Sequence, residues 1–468
     1  MLRLDAGQLD TLWETLLPEA VRVLPADLER ADLLLADPRL LEPFSAHWQK
    51  TCPSGLHDGR PTIPMQTYLR LMILKHRCGW GYEALVQEVA DSIHLRRFCL
   101  VPLHERVPHE STVRKLTRRL GPALTDELIR SVIALATRER RFRARALRVD
   151  STVAEADIRY PTDAGLCAQA VHVVTRAARR LHAAVPSASA HVQDRSRAVG
   201  GRLRSLGRTL RHRTEEAKRS VQRLTEEAAG QVRATIREAQ ALVRQARRSR
   251  SRARGTASAA RAIGDLERIT ALALRVVEQV RQRFAGEKIE SASRLVSLSD
   301  TDARPVRRGK LAQPNEFGYV VQLAELTPNT RRGARGFLLP PKLRAGSTHE
   351  NTLLPGTASE LVGLGLRPVE ASFDAGFGPA PTALTMAGVN PTIELFIAGN
   401  KANPGSRRTR RRRARYRVGC EGRIAHLKRE YGAGRSRLKG ESGARIWEGW
   451  AAFAYDVDTA AALPRNTS

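Results

Sequence analysis

Residues 147–152 read LRVDST, a short apolar run that leads into an aspartate, Asp150. Residues 372–377 read SFDAGF and repeat this arrangement with Asp374. An aspartate at the end of such a run is expected at the C-terminal end of a β-strand. The two segments therefore predict a sheet whose strand ends present two carboxylates.

A third segment, residues 417–428, reads RVGCEGRIAHLK and predicts a helix. Arg417, Glu421 and Lys428 follow one another at intervals of four and seven residues, so all three share one helix face. Two strand-end aspartates and a helical glutamate suit divalent cations, which prefer carboxylate oxygens. A pair of such ions can activate an attacking oxygen and stabilise a leaving one, which predicts phosphoryl transfer.

The composition points to a polyanionic partner. The 468 residues include 79 Lys and Arg against 48 Asp and Glu, which gives a net charge of +31 and a pI of about 11.2. Double-stranded DNA is the phosphodiester that such a balance favours. A basic surface that serves only solubility or general adhesion to nucleic acid is the alternative. The excess lies beyond residues 1–60, which carry ten acids and six bases.

The five cysteines are scattered, without a CxxC pair, which argues against a disulfide framework or a structural zinc site. No signal-peptide pattern opens the chain and no stretch approaches the length of a membrane span. We therefore expect a cytoplasmic, nucleoid-associated protein with no membrane partner.

Residues 1–125 predict a helical DNA-binding domain. Its first helix, within residues 1–50, has apolar side chains at helical spacing, namely Leu9, Leu12, Trp13, Leu16 and Leu17. A basic helix over residues 113–120 presents Arg114, Lys115 and Arg118 as candidate DNA contacts. Short helices that end in such a helix are typical of a helix-turn-helix reader. A helical bundle with a solvated basic face explains the pattern equally well.

From about residue 144 the pattern changes to short β runs mixed with helices, which predicts an α+β domain formed by residues 144–166 and 289–460. The predicted strands are residues 144–149, 294–298, 319–323, 336–339, 369–373 and 392–396.

Residues 167–288 interrupt this domain and predict a helical hairpin insertion. One long amphipathic helix is expected over residues 203–236 and a return helix over residues 263–284. Residues 200–254 contain 16 bases and five acids. The outward face of the hairpin therefore either tracks DNA or is only solvated.

Residues 403–417 predict a basic loop, since eight arginines occur among the eleven residues 407–417. Such a block is usually disordered until it meets a polyanion. Arg410 and Arg412 are its candidate DNA contacts.

With these motifs in order, the chain resembles the DDE-type bacterial insertion-sequence transposases that have a ribonuclease-H-like catalytic domain. The resemblance covers roughly residues 55–125 and 145–455. Its most specific part is the third motif, whose last three positions are matched by Arg417, Glu421 and Lys428. The tyrosine position of that motif is occupied by Ala414.

The resemblance implies a ribonuclease-H-like mixed sheet beside an all-α N-terminal domain, and an enzyme that binds the element's terminal inverted repeats. It also implies Mg²⁺-dependent strand cleavage and strand transfer into target DNA, with Mn²⁺ as a substitute. Asp150 would bridge two Mg²⁺ ions, while Asp374 and Glu421 would each complete one site. Arg417 and Lys428 would hold phosphates, and a homodimer or higher assembly would form on DNA. The alternatives are a catalytically decayed or repurposed DNA-binding protein, and a nuclease that cleaves without joining.

Overall fold

The computed structural model describes residues 1–7, 17–139, 142–209, 214–252, 257–307 and 315–463. These residues form two compact units, the first made of Met1–Ala156 and Tyr319–Ser468 and the second of Asp157–Gly318. Four apolar positions of the predicted first helix, from Leu9 to Leu16, lie outside the described residues. None of the described helices combines the length and the apolar composition needed to cross a membrane.

In the first unit, the described helices that precede the sheet are α1 Glu19–Arg22, α2 Ala26–Leu35, α3 Glu42–Thr51, α4 Met65–Arg77, α5 Tyr82–Asp91, α6 Ile93–Phe98 and α7 Glu110–Glu139. Helix α4 is almost entirely buried, because its apolar side chains pack against neighbours on several sides. Helix α7 bends at Gly121, whose φ of +68° suits a residue without a Cβ atom. The predicted basic helix lies in the first half of α7.

The strands are β1 Ala146–Ala156, β2 Arg304–Arg307, β3 Asn315–Thr327, β4 Phe337–Leu338, β5 Lys342–Ala345, β6 Glu370–Phe373, β7 Glu394–Ile397 and β8 Arg435–Ser436. The helices among and after them in the first unit are α12 Leu354–Gly363, α13 Pro379–Ala387, α14 Arg407–Glu430 and α15 Gly440–Ala461. Helix α15 packs against α4 and α7, where the ring of Trp450 lies 5.7 Å from that of Tyr68. The mixed α+β class predicted from the sequence is confirmed.

Strand β1 lies at the centre of the sheet in the first unit, between β3 and β6. Strands β1, β6 and β7 run parallel, with Val149 opposite Phe373 and Phe373 opposite Ile397. On the other side of β1, strands β4 and β5 pair antiparallel with β3. The sheet is therefore mixed. Strand β6 ends at Phe373, opposite Val149, whereas β1 continues to Ala156, so Asp150 lies within β1 and not at its C-terminal end as predicted.

One predicted strand is wrong. Residues 294–298 form neither a strand nor a helix, although Leu295 and Leu298 are buried. The side chain of Gln279 exchanges two hydrogen bonds with the backbone of Leu295, and Gln169 accepts one from the N–H of Leu298. Glutamines on neighbouring helices therefore satisfy the backbone groups that a strand would otherwise pair.

The second unit is mainly helical, with α8 Asp163–Ala184, α9 Ser196–Thr209, α10 Glu215–Arg252 and α11 Ala257–Phe284 around a shared apolar core. Strand β2 pairs antiparallel with the first four residues of β3. The single long helix predicted over residues 203–236 is wrong, because α9 ends at Thr209 and α10 begins at Glu215. The predicted return helix is confirmed by α11.

The arginine-rich segment after residue 406 is a helix rather than the predicted loop. Ser406 caps α14, since its hydroxyl accepts a hydrogen bond from the N–H of Thr409. The fully buried Arg413 pairs with Glu370 and Glu394, which lie at the starts of β6 and β7. Arginine has a high helix propensity, and these ion pairs hold the first turns of α14 against the sheet.

Candidate active site

Asp150 and Asp374 lie at neighbouring positions on adjacent parallel strands. Each follows a paired residue, because Val149 is opposite Phe373 in the register of β1 and β6. Asp150 is 7% exposed, whereas the side chain of Asp374 is 38% exposed. The two aspartates predicted from the sequence are thus brought together where β6 ends beside the middle of β1.

Arg417 connects Asp374 to the glutamate on α14. Its Nη1 lies 3.0 Å from Oδ1 of Asp374, and its Nη2 lies 2.8 Å from Oε1 of Glu421. The guanidinium is largely buried, while Glu421 is 58% exposed. Arg417 and Glu421 therefore lie one turn apart on α14, and the guanidinium of Arg417 links Glu421 to Asp374 at the end of β6.

The environment of Asp150 favours its protonated form. Burial, together with the nearby carboxylates of Asp374 and Glu350, raises the pKa of Asp150 to about 6. The N–H of Ser151 and the charge of Arg417 act in the opposite direction. A bound cation would favour the ionised carboxylate instead.

Glu350, a further carboxylate of this region, was not identified from the sequence. It lies in the 3₁₀ turn Glu350–Thr352, where its Oε2 accepts a hydrogen bond of 2.6 Å from Ser151. Gly376 leaves room for it, since a Cβ atom at that position would lie 2.8 Å from Cγ of Glu350. The contact joins residues 199 positions apart, and no local sequence pattern marks it.

The candidate ligands Asp150, Asp374 and Glu421 fit hard divalent cations, because these ions prefer carboxylate oxygens. Asp150 and Asp374 can supply oxygens directly. In the described part of the chain, no group of three or more His, Cys, Asp or Glu side chains is close enough to hold a metal ion. Arg417 lies between Asp374 and Glu421, so Glu421 would join the aspartates only after that guanidinium moves.

Lys428 lies two turns beyond Glu421 on α14. Its Nζ donates a hydrogen bond of 2.8 Å to the backbone oxygen of Val153 on β1. Lys428 also lines a surface cavity of about 460 Å³ with Lys75 and Arg437. It is thus held beside the strand that carries Asp150, while its role as a phosphate ligand stays a prediction.

The other predicted DNA contacts lie on two basic surfaces. Arg114, Lys115 and Arg118 line a cavity of about 610 Å³ beside α7. Arg412 lines a cleft of about 920 Å³ at the start of α14 and also pairs with Glu370, while Arg410 is exposed on the same helix. Arg332, from the loop after β3, belongs to the same cleft and was not identified from the sequence.

Tyr416, next to Arg417, has a structural role. It is buried, and its hydroxyl lies 2.6 Å from Oγ1 of Thr327 at the end of β3. This hydrogen bond fixes α14 across the sheet, one residue before the guanidinium that contacts Asp374.

Comparisons with known proteins show a family match for part of the chain. Residues 26–119, from α2 to the first half of α7, match a family described as a transposase domain (DUF772). The chain is 28% identical over 127 residues to the uncharacterized protein ORF8 in the nfe locus of Rhizobium meliloti. That match covers 26% of this chain and 61% of the relative, so it spans less than two thirds of the relative's length. No solved structure matches the chain. The chain is thus transposase-related.

Proposed function

We propose that this chain is a DDE-type transposase whose ribonuclease-H-like sheet cuts and joins DNA with Asp150, Asp374 and Glu421. The observation that carries the proposal is the position of Arg417, which contacts Asp374 and Glu421 while Asp150 lies on the adjacent strand. Residues distant in sequence thereby meet beside the end of β6 in a mixed sheet. The match of residues 26–119 to a transposase domain supports the proposal from a separate part of the chain.

Asp150, Asp374 and Glu421 are the residues that would hold Mg²⁺, because this ion prefers carboxylate oxygens. When bound, Mg²⁺ or Mn²⁺ supplies activation of the attacking oxygen and stabilisation of the leaving oxygen. Glu350, which accepts a hydrogen bond from Ser151, would keep the residue after Asp150 in place.

Arg417 has two roles in this proposal. Without DNA, its guanidinium offsets the charges of Asp374 and Glu421 and holds their side chains. When DNA arrives, the planar fork would turn to a phosphate, for which its paired N–H groups are suited. Lys428 would contact a phosphate as a point charge, two turns further along α14.

The reaction needs no nucleotide cofactor, since one phosphodiester is exchanged for another. Hydrolysis of a strand at the element's end leaves a 3′-hydroxyl, and that hydroxyl then attacks a phosphate of the target DNA. Hydrolysis consumes one phosphodiester and leaves a 5′-phosphate on the other side of the cut. The second step releases a 3′-hydroxyl from the target strand and conserves the number of phosphodiesters. The assembly on DNA would be a homodimer or larger.

The test uses linear DNA that carries the sequences flanking the open reading frame, together with a circular target plasmid. The purified chain is incubated with both in Mg²⁺, in Mn²⁺ or in EDTA, and the strand ends and joined products are mapped. We expect metal-dependent nicks at the ends of inverted repeats, followed by joining of the new 3′ ends to the plasmid.

The other outcomes separate the alternatives. Cleavage without any joined product would identify a nuclease. Binding of the flanking DNA without cleavage in either metal would identify a decayed or repurposed DNA-binding protein, and the proposal would then be wrong.

A further inference from the structure

Lys75, in the last turn of α4, is buried without a carboxylate beside its ammonium group. The residue is 1% exposed. Its Nζ lies 3.8 Å from the ring centre of Trp447 and 4.9 Å from that of Tyr82. Among the described residues, this amine has neither a salt bridge nor a side-chain hydrogen bond.

The surroundings disfavour the charge of Lys75. Burial, together with a smaller effect of the nearby charge of Arg437, lowers the pKa of Lys75 to about 7. Cation–π attraction to the two aromatic faces offsets part of the hydration free energy that the ammonium group loses on burial. A Met or Leu side chain would pack there without any such cost, so a purely structural role does not explain why the position carries an amine.

Two surface cavities meet at this lysine. The cavity of about 610 Å³ beside α7 and the cavity of about 460 Å³ beside α14 are both lined by Lys75, Arg437 and Trp447. We call the two cavities together the Lys75 groove. Its walls come from the helices α4, α5, α7, α14 and α15, from β1, and from β8 with the segment after it, all within the first unit.

The groove is strongly positive along its length. Its cations are Arg114, Lys115, Arg118, Lys75, Arg437, Arg435 and Lys428. Its acids are Glu83, Glu110 and Glu155, and two of these already have basic partners. Glu110 lies 3.4 Å from Arg114, and Glu155 lies 2.8 Å from Arg435. The groove therefore has an excess of positive charge that an anionic ligand would neutralise.

The groove ends close to the candidate active site. Lys428, at that end, contacts the backbone of Val153, which is three residues after Asp150 on β1. Three residues of strand span roughly 10 Å, so a bound chain of phosphates would approach the carboxylates along β1.

We propose that the Lys75 groove binds the phosphodiester backbone of a DNA strand, with one phosphate seated between Lys75 and Arg437. The inference rests on the proposed function and adds the path that the DNA follows from α7 to α14. The phosphate would supply the counter-charge that the protein does not place beside Lys75. Arg437 is exposed and can adjust to the phosphate, whereas Lys75 is fixed by Trp447 and Tyr82.

The test compares the salt dependence of DNA binding in a cleavage-deficient background, Asp150→Asn. Lys75→Met keeps an unbranched side chain against Trp447 and removes the charge. Each phosphate contact contributes about −0.9 to the slope of log K against log[salt], so Lys75→Met should flatten the slope by about that amount. Affinity should fall roughly tenfold at physiological salt, the usual effect of losing one charge-assisted contact.

Lys50→Met is the matched control, because Lys50 is exposed on α3 and does not line the groove. Its slope and affinity should equal those of the Asp150→Asn parent. Arg437→Gln changes an exposed side chain, so it tests the groove even if Lys75→Met fails to fold. We expect the same flattening from Arg437→Gln, and an unchanged slope in this variant would overturn the proposal.

A DNA scan with single neutral methylphosphonate linkages identifies the seated phosphate. At one linkage the substitution should weaken the parent yet have little further effect on Lys75→Met, since the same contact is already lost. Equal losses for both proteins at every linkage would mean that Lys75 contacts no phosphate. These outcomes are separable from failure of the proposed function, which would appear as absence of cleavage and joining by the unmodified chain.

Discussion

Gly419 on α14 lies directly against the guanidinium of Arg148 on β1. A Cβ atom at position 419 would overlap with Nη1 of Arg148. That guanidinium cannot move aside easily, because it donates to Glu325, to the backbone oxygen of Tyr416 and to that of Ala334. The absence of a side chain at Gly419 therefore lets α14 approach β1 two residues before Glu421.

Replacing Gly419 should disturb both stability and the site. Gly419→Ala forces α14 away from Arg148, which we expect to destabilise the fold by about 1–3 kcal/mol, as overpacking usually does. Cleavage should fall because Glu421 and Arg417 move with the helix. Urea unfolding and single-turnover cleavage measure the two effects.

Gly422→Ala is the matched control on the same helix, since nothing lies within 4 Å of a Cβ atom there. This change should be neutral or stabilising by up to about 1 kcal/mol, because alanine has the higher helix propensity. Equal behaviour of the two alanine variants would show that the approach at Gly419 is not tight.

Arg417→Lys should not restore what Arg417→Ala loses. A lysine ammonium is a point charge and cannot bridge Asp374 and Glu421 as the planar fork does. We expect the single-turnover rate at saturating DNA to fall about 100-fold in Arg417→Ala and to recover only in part in Arg417→Lys. Arg429→Lys, at an exposed arginine of the same helix, should keep the full rate. Full activity in Arg417→Lys would show that Arg417 acts only through its positive charge and that the planar guanidinium is not needed.

The arginine cleft at the start of α14 should supply affinity that does not depend on sequence. Four of its arginines are exposed and unneeded for packing, namely Arg407, Arg408, Arg411 and Arg415. Changing all four to Gln, which keeps helix propensity, should flatten the salt slope by about 0.9 per lost contact and weaken binding to every DNA alike. The same four changes to Lys should preserve the slope. An altered sequence preference would mean that the cleft reads bases.

Glu448 on α15 should make the fold less stable as pH rises. It is 2% exposed, its Oε1 has no hydrogen-bond partner within the described structure, and burial raises its pKa to about 8. The folded state therefore binds this proton more tightly than the unfolded state, whose pKa is about 4.5. This contribution to stability is complete below pH 4.5 and is lost as pH rises to about 8.

Glu448→Gln removes the titrating group and keeps its size. Thermal unfolding of this variant should depend less on pH between about 5 and 8, and it should be more stable than the parent by a few kcal/mol at most near pH 8. An unchanged pH profile would mean that the ionised carboxylate is already compensated.

The local sequence predicted the strand context of Asp150 and Asp374 and the shared helix face of Arg417 and Glu421, although Asp150 lies within β1 rather than at its C-terminal end. These features depend on short-range apolar patterns and on helical spacing, which a single sequence contains. Glu350 was missed because its contact with Ser151 depends on how distant segments meet.

Two of the errors in secondary structure have similar causes. Residues 294–298 have a strand-like pattern, but side chains of Gln169 and Gln279 take their backbone hydrogen bonds. Residues 407–417 read as a disordered basic block until Glu370 and Glu394 are placed beside Arg413. In both cases long-range partners, which composition does not show, decide the local structure.

DNA cleavage by variants with single isosteric changes at the three carboxylates tests most directly whether these residues are the catalytic metal ligands. Asp150→Asn, Asp374→Asn and Glu421→Gln keep side-chain shape and remove the charge that would hold Mg²⁺. Glu430→Gln, on the same helix and exposed, is the control. We expect each of the three changes to abolish Mg²⁺-dependent cleavage while DNA binding is largely kept, and Glu430→Gln to cleave like the parent. Near-normal cleavage by any one of the three would contradict the assignment of that residue.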